Sequence, residues 1–172
     1  ERYAWVKARA MSGAGQFEPL RESVLRPFVY RRYLDFGVFE SLREMKALIN
    51  REVARRELAD NIKLGAGGIR EVEFIVQAFQ LVRGGEDRQL REASLLTVLP
   101  RLTGARLLPG DTVEALTAAY RFLRRVENAV QMLDDAQTHS LPGDAFARER
   151  VAWALGLGDV ATLEAEVARH RA

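Results

Sequence analysis

The stretch Asp60-Asn61-Ile62-Lys63-Leu64-Gly65-Ala66-Gly67-Gly68-Ile69-Arg70-Glu71-Val72-Glu73-Phe74-Ile75-Val76-Gln77-Ala78-Phe79-Gln80-Leu81-Val82-Arg83-Gly84-Gly85 decides how the rest of the chain is read. A glycine-rich turn at Gly65, Gly67 and Gly68 leads into a helical pattern. Its apolar residues, Ile69, Val72, Phe74, Ile75, Val76, Phe79, Leu81 and Val82, cover most of a helix surface. A helix apolar nearly all round is a buried helix. One polar row interrupts it: Arg70, Glu73, Gln77 and Gln80, with Glu71 beside its start. Spacings of three and four put these side chains in line down one face. Buried donors and acceptors without partners cost on the order of a few kcal/mol each. The row is therefore expected to face a cleft, a polar neighbouring helix or another domain.

Outward from this stretch the period stays helical. Glu1 to Met11 reads as a helix with Trp5, Ala8 and possible partners Tyr3 and Val6 inward, ended by Ser12-Gly13-Ala14-Gly15. Phe17 to Leu25 reads as a short helix interrupted at Arg26-Pro27, because proline pushes the preceding residue out of the α region. Phe28, Tyr30, Tyr33, Phe36 and Phe39 form an aromatic cluster that reads first as core, with Arg26, Arg31 and Arg32 as an anion-contacting edge in the alternative. A long amphipathic helix is expected over 38–58. Beyond Gly84-Gly85, Ser94 is a plausible N-cap for Leu95 to Leu102, with Pro100 a kink or an end. Asp111 or Thr112 is expected to cap the longest helix, running to about Ala136. Its stripe is Val113, Leu116, Tyr120, Leu123, Val126, Val130 and Leu133; its outer face carries Arg121, Arg124, Arg125, Asn128, Gln131 and Asp135, with Glu127 at the boundary. Asp144 caps Ala145 to Leu155, and Asp159 to Ala172 is a last helix. Strand alternation and internal repeats are absent, so the reading is an all-α bundle of about six to eight helices forming a single domain over 1–172. Because the chain opens at Glu1, inside a helical pattern and without Met, it is read as an excised piece of a longer protein.

The 172 residues, 48% hydrophobic and 29% charged, suit a soluble globular domain with a sizeable core. No apolar run approaches the roughly 20 residues of a membrane span, and no signal-peptide pattern opens the chain. With no cysteine, disulfides and thiolate metal sites are excluded, and a reducing cytoplasm fits. His139 and His170 carry no ligand spacing. The net charge of +2 is spread among interspersed Arg, Asp and Glu, which reads as solvated helix faces rather than a nucleic-acid surface.

At the glycine-rich turn, free backbone N–H groups and the helix dipole favour an anion, with Lys63 just before and Arg70 in the first turn. Arg brings a two-pronged geometry suited to phosphate. The spacing is neither a Walker motif nor a dinucleotide-binding fingerprint. On spacing alone the glycines read first as a tight connection, with Arg70 and Glu73 a local pair, and only then as an anion site. Glu71, Glu73 and Glu127 read as solvated or paired carboxylates before they read as metal ligands. No nucleophilic triad is supported.

The run Asn61 to Gln77 closely resembles the signature of the glutamine synthetase adenylyltransferase/deadenylylase family. Similar stretches lie at Glu1 to Arg9, Arg26 to Phe36, Ser41 to Lys46, Tyr120 to Asn128 and Gln137 to Pro142, so the likeness spans nearly the whole chain. The family has two similar halves, each a nucleotidyltransferase head followed by a helical domain. Arg70-Glu71 after Gly67-Gly68-Ile69 resembles the adenylyl-removing, N-terminal half. The head's Gly-Ser-x-x-Asp-x-Asp motif and later Asp, which bind Mg²⁺, have no counterpart here. The resemblance therefore implies the nucleotidyltransferase-associated helical domain without its catalytic head. No catalytic residue, metal or cofactor is then expected in the fragment itself; Mg²⁺ and ATP, ADP or phosphate serve the parent enzyme. In that enzyme phosphate attacks the adenylyl-tyrosine phosphodiester. Lys63, Gly67, Gly68, Arg70, Glu71 and Glu73 are the implied phosphate or nucleotide cleft, with Arg124, Glu127, Asn128 and Gln77 as further cleft or interface candidates. Implied partners are glutamine synthetase, the PII signalling protein, and the head and other half of the same chain, in the cytoplasm, with no nucleic acid and no membrane. The alternative is a docking and regulatory module whose surface is the outer face of the helix from Thr112.

Overall fold

In the computed structural model, residues 2–31, 40, 43–44, 46–48, 51, 60–135 and 137–172 are described. They form α1 (Arg2–Trp5), α2 (Ala14–Leu20), α3 (Arg26–Val29), α4 (Ile69–Arg83), α5 (Leu95–Gly104), α6 (Gly110–Asp134), α7 (Ala145–Ala154) and α8 (Val160–Arg171). Among the described residues there is no strand, only an isolated antiparallel bridge between Asn61 and Ser140, so the fold is all-α. None of these helices is long and apolar enough to cross a membrane. The helix expected over 38–58, and Tyr33, Phe36 and Phe39, fall largely or wholly outside the described residues.

The chain divides into two compact units: Glu1–Met45 with Glu73–Val113, and Lys46–Val72 with Glu114–Ala172. In the first, Val6, Val29, Tyr30 and Leu81 form a core against which Tyr3, Phe74, Ala78 and Val82 pack. Tyr3 and Phe74 meet with ring centroids 5.7 Å apart, and the Arg91 guanidinium lies 5.5 Å over the Tyr30 ring. Burial pushes the Tyr30 phenol up from its ordinary pKa, and the neighbouring Arg91 and Arg26 only partly oppose this.

Three expectations are corrected here. Trp5 is 46% exposed rather than inward. Helix α1 stops at Trp5, after barely a turn, so it is Val6, in the turn that follows, that reaches the core. Pro27 does not interrupt the second helix: Leu25 and Arg26 both stay in the αR region, and α2 runs through a π-helical turn (Arg21–Leu25) into α3. In that turn the Arg26 N–H reaches back to the Arg21 carbonyl. The ladder is thus already off the i−4 register in which a proline ring collides with a carbonyl. At Pro100, where a kink or an end was expected, the helix does not end: α5 continues to Gly104. Pro100 is on the exposed side, where a carbonyl without its helical donor meets water.

The second unit packs around Ile62, Ile69, Leu123, Val126, Val130, Val151 and Leu163, each 2% exposed or less. The predicted stripe of α6 supplies three of these, since residues three and four apart share its inner face. Local chemistry starts the last two helices. The Asp144 carboxylate accepts from the Ala147 N–H at 2.8 Å and the Asp159 carboxylate from the Thr162 N–H at 2.7 Å, both ordinary N-caps. Helix α6 starts one residue ahead of the expected caps, at Gly110.

Candidate functional site

The segment 60–68 is held from both sides. The Ile62 N–H donates to the His139 carbonyl (2.7 Å) and the Leu141 N–H to the Asp60 carbonyl (3.0 Å), tying the loop to the segment after α6. Asn61 folds the loop on itself, its Oδ1 accepting from the N–H groups of Lys63 (3.1 Å) and Leu64 (2.7 Å). Its amide also donates to Ser140 Oγ at 3.2 Å. An Asx turn of this kind is local chemistry that Asn performs readily.

The glycines are set by close approach. A Cβ on Gly68 would lie 2.7–2.9 Å from the carbonyl oxygens of Ile62, Gly65 and Lys63. Gly67 has φ +66°, and its Cβ would fall 1.9 Å from the Arg171 carbonyl. The backbone donors expected to be free are taken. The Gly68 N–H donates to the Gly65 carbonyl, Ile69 to Ile62, Arg70 to Lys63 and Glu71 to Gly68, while Gly67 donates to Glu71 Oε2 at 3.3 Å. The helix start is closed by the loop's own carbonyls, so an anion here must be met by side chains.

Those side chains gather elsewhere than on the polar row. Glu127, on α6, is 2% exposed. Its Oε2 accepts from Arg124 Nη1 at 2.5 Å. Its Oε1 lies 2.9 Å from His139 Nδ1 and 3.5 Å from Lys63 Nζ. Among the described residues Oε1 has no aligned hydrogen-bond donor, so the Lys63 contact is an ion pair without a hydrogen bond. His139 Nδ1 is also 3.3 Å from Gln131 Nε2. The boundary glutamate of the sequence reading is thus the hub of the cluster. A buried carboxylate costs several kcal/mol unless paired, which explains why the loop, α6 and the 137–141 segment each send a polar group to it.

The row itself divides. Arg70 is exposed in the first turn of α4. Glu73, Gln77 and Gln80 are 7%, 3% and 3% exposed, buried rather than lining an opening. Glu73 pairs with Lys7 at 2.6 Å. The Gln80 amide donates to the carbonyls of Leu90 (2.7 Å) and Glu92 (2.8 Å), holding the turn before α5. Glu71 pairs with Lys46 Nζ at 3.4 Å besides accepting from Gly67, so the carboxylate beside Lys63 is Glu127, not Glu71 or Glu73. Asn128 is exposed on α6. His139 and Gln131 were missed as a pair because eight residues and a helix end separate them. A pocket of about 340 Å³ bordered by Arg83, Glu86 and Arg106 contains none of the predicted residues.

These features define an all-α domain with a cationic cluster built on a buried glutamate. The sequence profile described as GlnD PII-uridylyltransferase matches residues 43–172, and the chain belongs to that family. It is 56% identical over 168 residues, 98% of the chain, to a protein of Stenotrophomonas maltophilia named bifunctional glutamine synthetase adenylyltransferase/adenylyl-removing enzyme. Proteins of the same name from Xanthomonas oryzae pv. oryzae and Thioalkalivibrio sulfidiphilus are 54% and 53% identical over 100% and 99% of the chain. The chain spans 18% of the length of each of these relatives.

Proposed function

We propose that this chain is the helical domain of an enzyme that adenylylates glutamine synthetase and removes the AMP by phosphorolysis, and that the Lys63–Arg70 stretch borders the cleft for removal. The relatives' shared name and the Gly67-Gly68-Ile69-Arg70-Glu71 sequence support this reading. One observation carries it: a rigid, internally bonded loop presents Lys63 half-exposed and leads directly into Arg70, exposed in the first helical turn. During phosphorolysis a phosphate oxygen bonds to the adenylyl phosphorus while the bond to the tyrosine oxygen breaks, releasing ADP and tyrosine. Charge grows on the phosphoryl oxygens, and fixed cations favour that state over the ground state. Mg²⁺ takes a set of oxygen ligands. Among the described residues no three of His, Asp or Glu gather to provide one, so the metal's part is assigned to no residue here.

The test is Arg70→Ala in the longer enzyme. Release of AMP from adenylylated glutamine synthetase is expected to fall roughly tenfold or more, the scale of one lost charged contact, with the unfolding midpoint unchanged. A collapse of folding with full activity per folded molecule refutes the cleft role. The exposed Arg121, Arg125 and Asn128 on α6 favour a second reading, a docking surface. Titration with PII protein separates the two, since docking requires binding that Arg70→Ala leaves intact.

A further inference from the structure

We infer that Lys63, Arg124 and His139, gathered on the Glu127 carboxylate, form a binding site for a phosphoryl anion, either inorganic phosphate or the phosphate of a nucleotide. The inference deepens the reading above by naming the side chains that meet the phosphate. Lys63 and Arg124 against Glu127 leave one positive charge in excess with His139 neutral, and two with it protonated. The groups come from the 60–68 loop, from α6 and from the segment after it, and both ends of that loop-to-segment contact are fixed by backbone bonds. Such an arrangement is preorganised: the cations are already desolvated on one side and need not be collected by the ligand.

The carboxylate does not exhaust its partners. Lys63 Nζ, 3.5 Å from the carboxylate, keeps its three donors largely uncommitted among the described residues. Among the described residues Arg124 spends one N–H on Glu127, leaving most of its fork. The Lys63, Arg124 and His139 side chains are 30%, 44% and 28% exposed, so their remaining donors reach solvent, while the Glu127 side chain is 3% exposed and is shielded from an incoming anion. His139 Nδ1 lies 2.9 Å from Glu127 Oε1 and 3.3 Å from Gln131 Nε2, so the ring is held from its inner edge. Glu127 is therefore a positioning residue, and the three groups around it are the contacts.

Isothermal titration of the 172-residue chain with inorganic phosphate, AMP and adenosine tests this. Saturable binding of phosphate or AMP is expected, with none for adenosine; phosphate alone or AMP alone identifies the source. Lys63→Ala and Arg124→Ala, both at partly exposed positions, are each expected to weaken binding roughly tenfold to a hundredfold, with thermal unfolding confirming a folded chain. Glu127→Gln is expected to weaken it too, and where that variant fails to fold the other two decide. Absence of saturable binding to both phosphate and AMP, undiminished binding in both alanine variants, or equal binding of adenosine overturns the proposal. Binding that depends on Lys63 and Arg124, together with adenylyl removal by the longer enzyme that ignores them, leaves this site standing and overturns the cleft reading instead.

Discussion

Gly68→Ala is the most direct probe of the loop that positions Lys63. The added methyl would meet three backbone carbonyl oxygens, those of Ile62, Gly65 and Lys63, at 2.7, 2.8 and 2.9 Å. Carbon and oxygen in contact need well over 3 Å, and no flexible side chain is available to move aside. Each of those carbonyls already accepts a loop or helix-start hydrogen bond, from Ile69, Gly68 and Arg70. Relief by moving them therefore breaks bonds as well as packing. Overpacking alone costs about 1–3 kcal/mol, and one weakened backbone bond adds about 1 kcal/mol. A total of about 3 kcal/mol corresponds to a fall in midpoint of roughly 6–12 °C for a chain of this size. Gly104→Ala is the internal control. Nothing lies within 4 Å of its Cβ position and it sits in a helix, so it is expected to be neutral or stabilising by about 0.5–1 kcal/mol. Thermal and urea unfolding followed by circular dichroism measure both. Equal stability of Gly68→Ala and the parent chain would falsify the close-approach account of the loop.

Two further outcomes follow from other contacts. Gln80→Leu removes both amide donors from the Leu90 and Glu92 carbonyls and is expected to cost about 2–4 kcal/mol in urea unfolding; a loss below about 0.5 kcal/mol contradicts the structural role given to Gln80. His170, stacked on Phe122 at 4.5 Å, is held below its ordinary pKa of 6.5 by burial, then by Arg169, with Glu166 opposing. The folded state thus favours the neutral ring. Its contribution is fully present above pH 6.5 and is lost as pH falls through the lower folded value. His170→Phe is expected to flatten the midpoint-versus-pH curve on that acid side, and an unchanged slope removes His170 as its source.

Where structure is decided within a few residues, it was readable from the chain. The Asp144 and Asp159 caps act over three residues, the stripe of α6 follows from helical period, and Gly67-Gly68 announces a backbone no side chain can share. The resemblance in Asn61 to Gln77 likewise pointed to the glutamine synthetase adenylyltransferase/adenylyl-removing enzymes to which the chain proved 53–56% identical. Proline was the local rule that failed: a π-helical turn lets Pro27 pass within a continuous helical run.

What only the tertiary structure decided is which groups meet. Helical spacing placed Glu73 and Glu127 on their faces, but burial and partners depend on residues 66 and 64 positions away, Lys7 for one and Lys63 for the other. The same holds for His139, which lies beyond the end of α6, twelve residues from Glu127 in sequence but with its Nδ1 2.9 Å from that carboxylate. Period and capping are short-range energies that each segment satisfies alone. A buried charge is a long-range demand, and it is met by whichever segments the packing of the core brings to it.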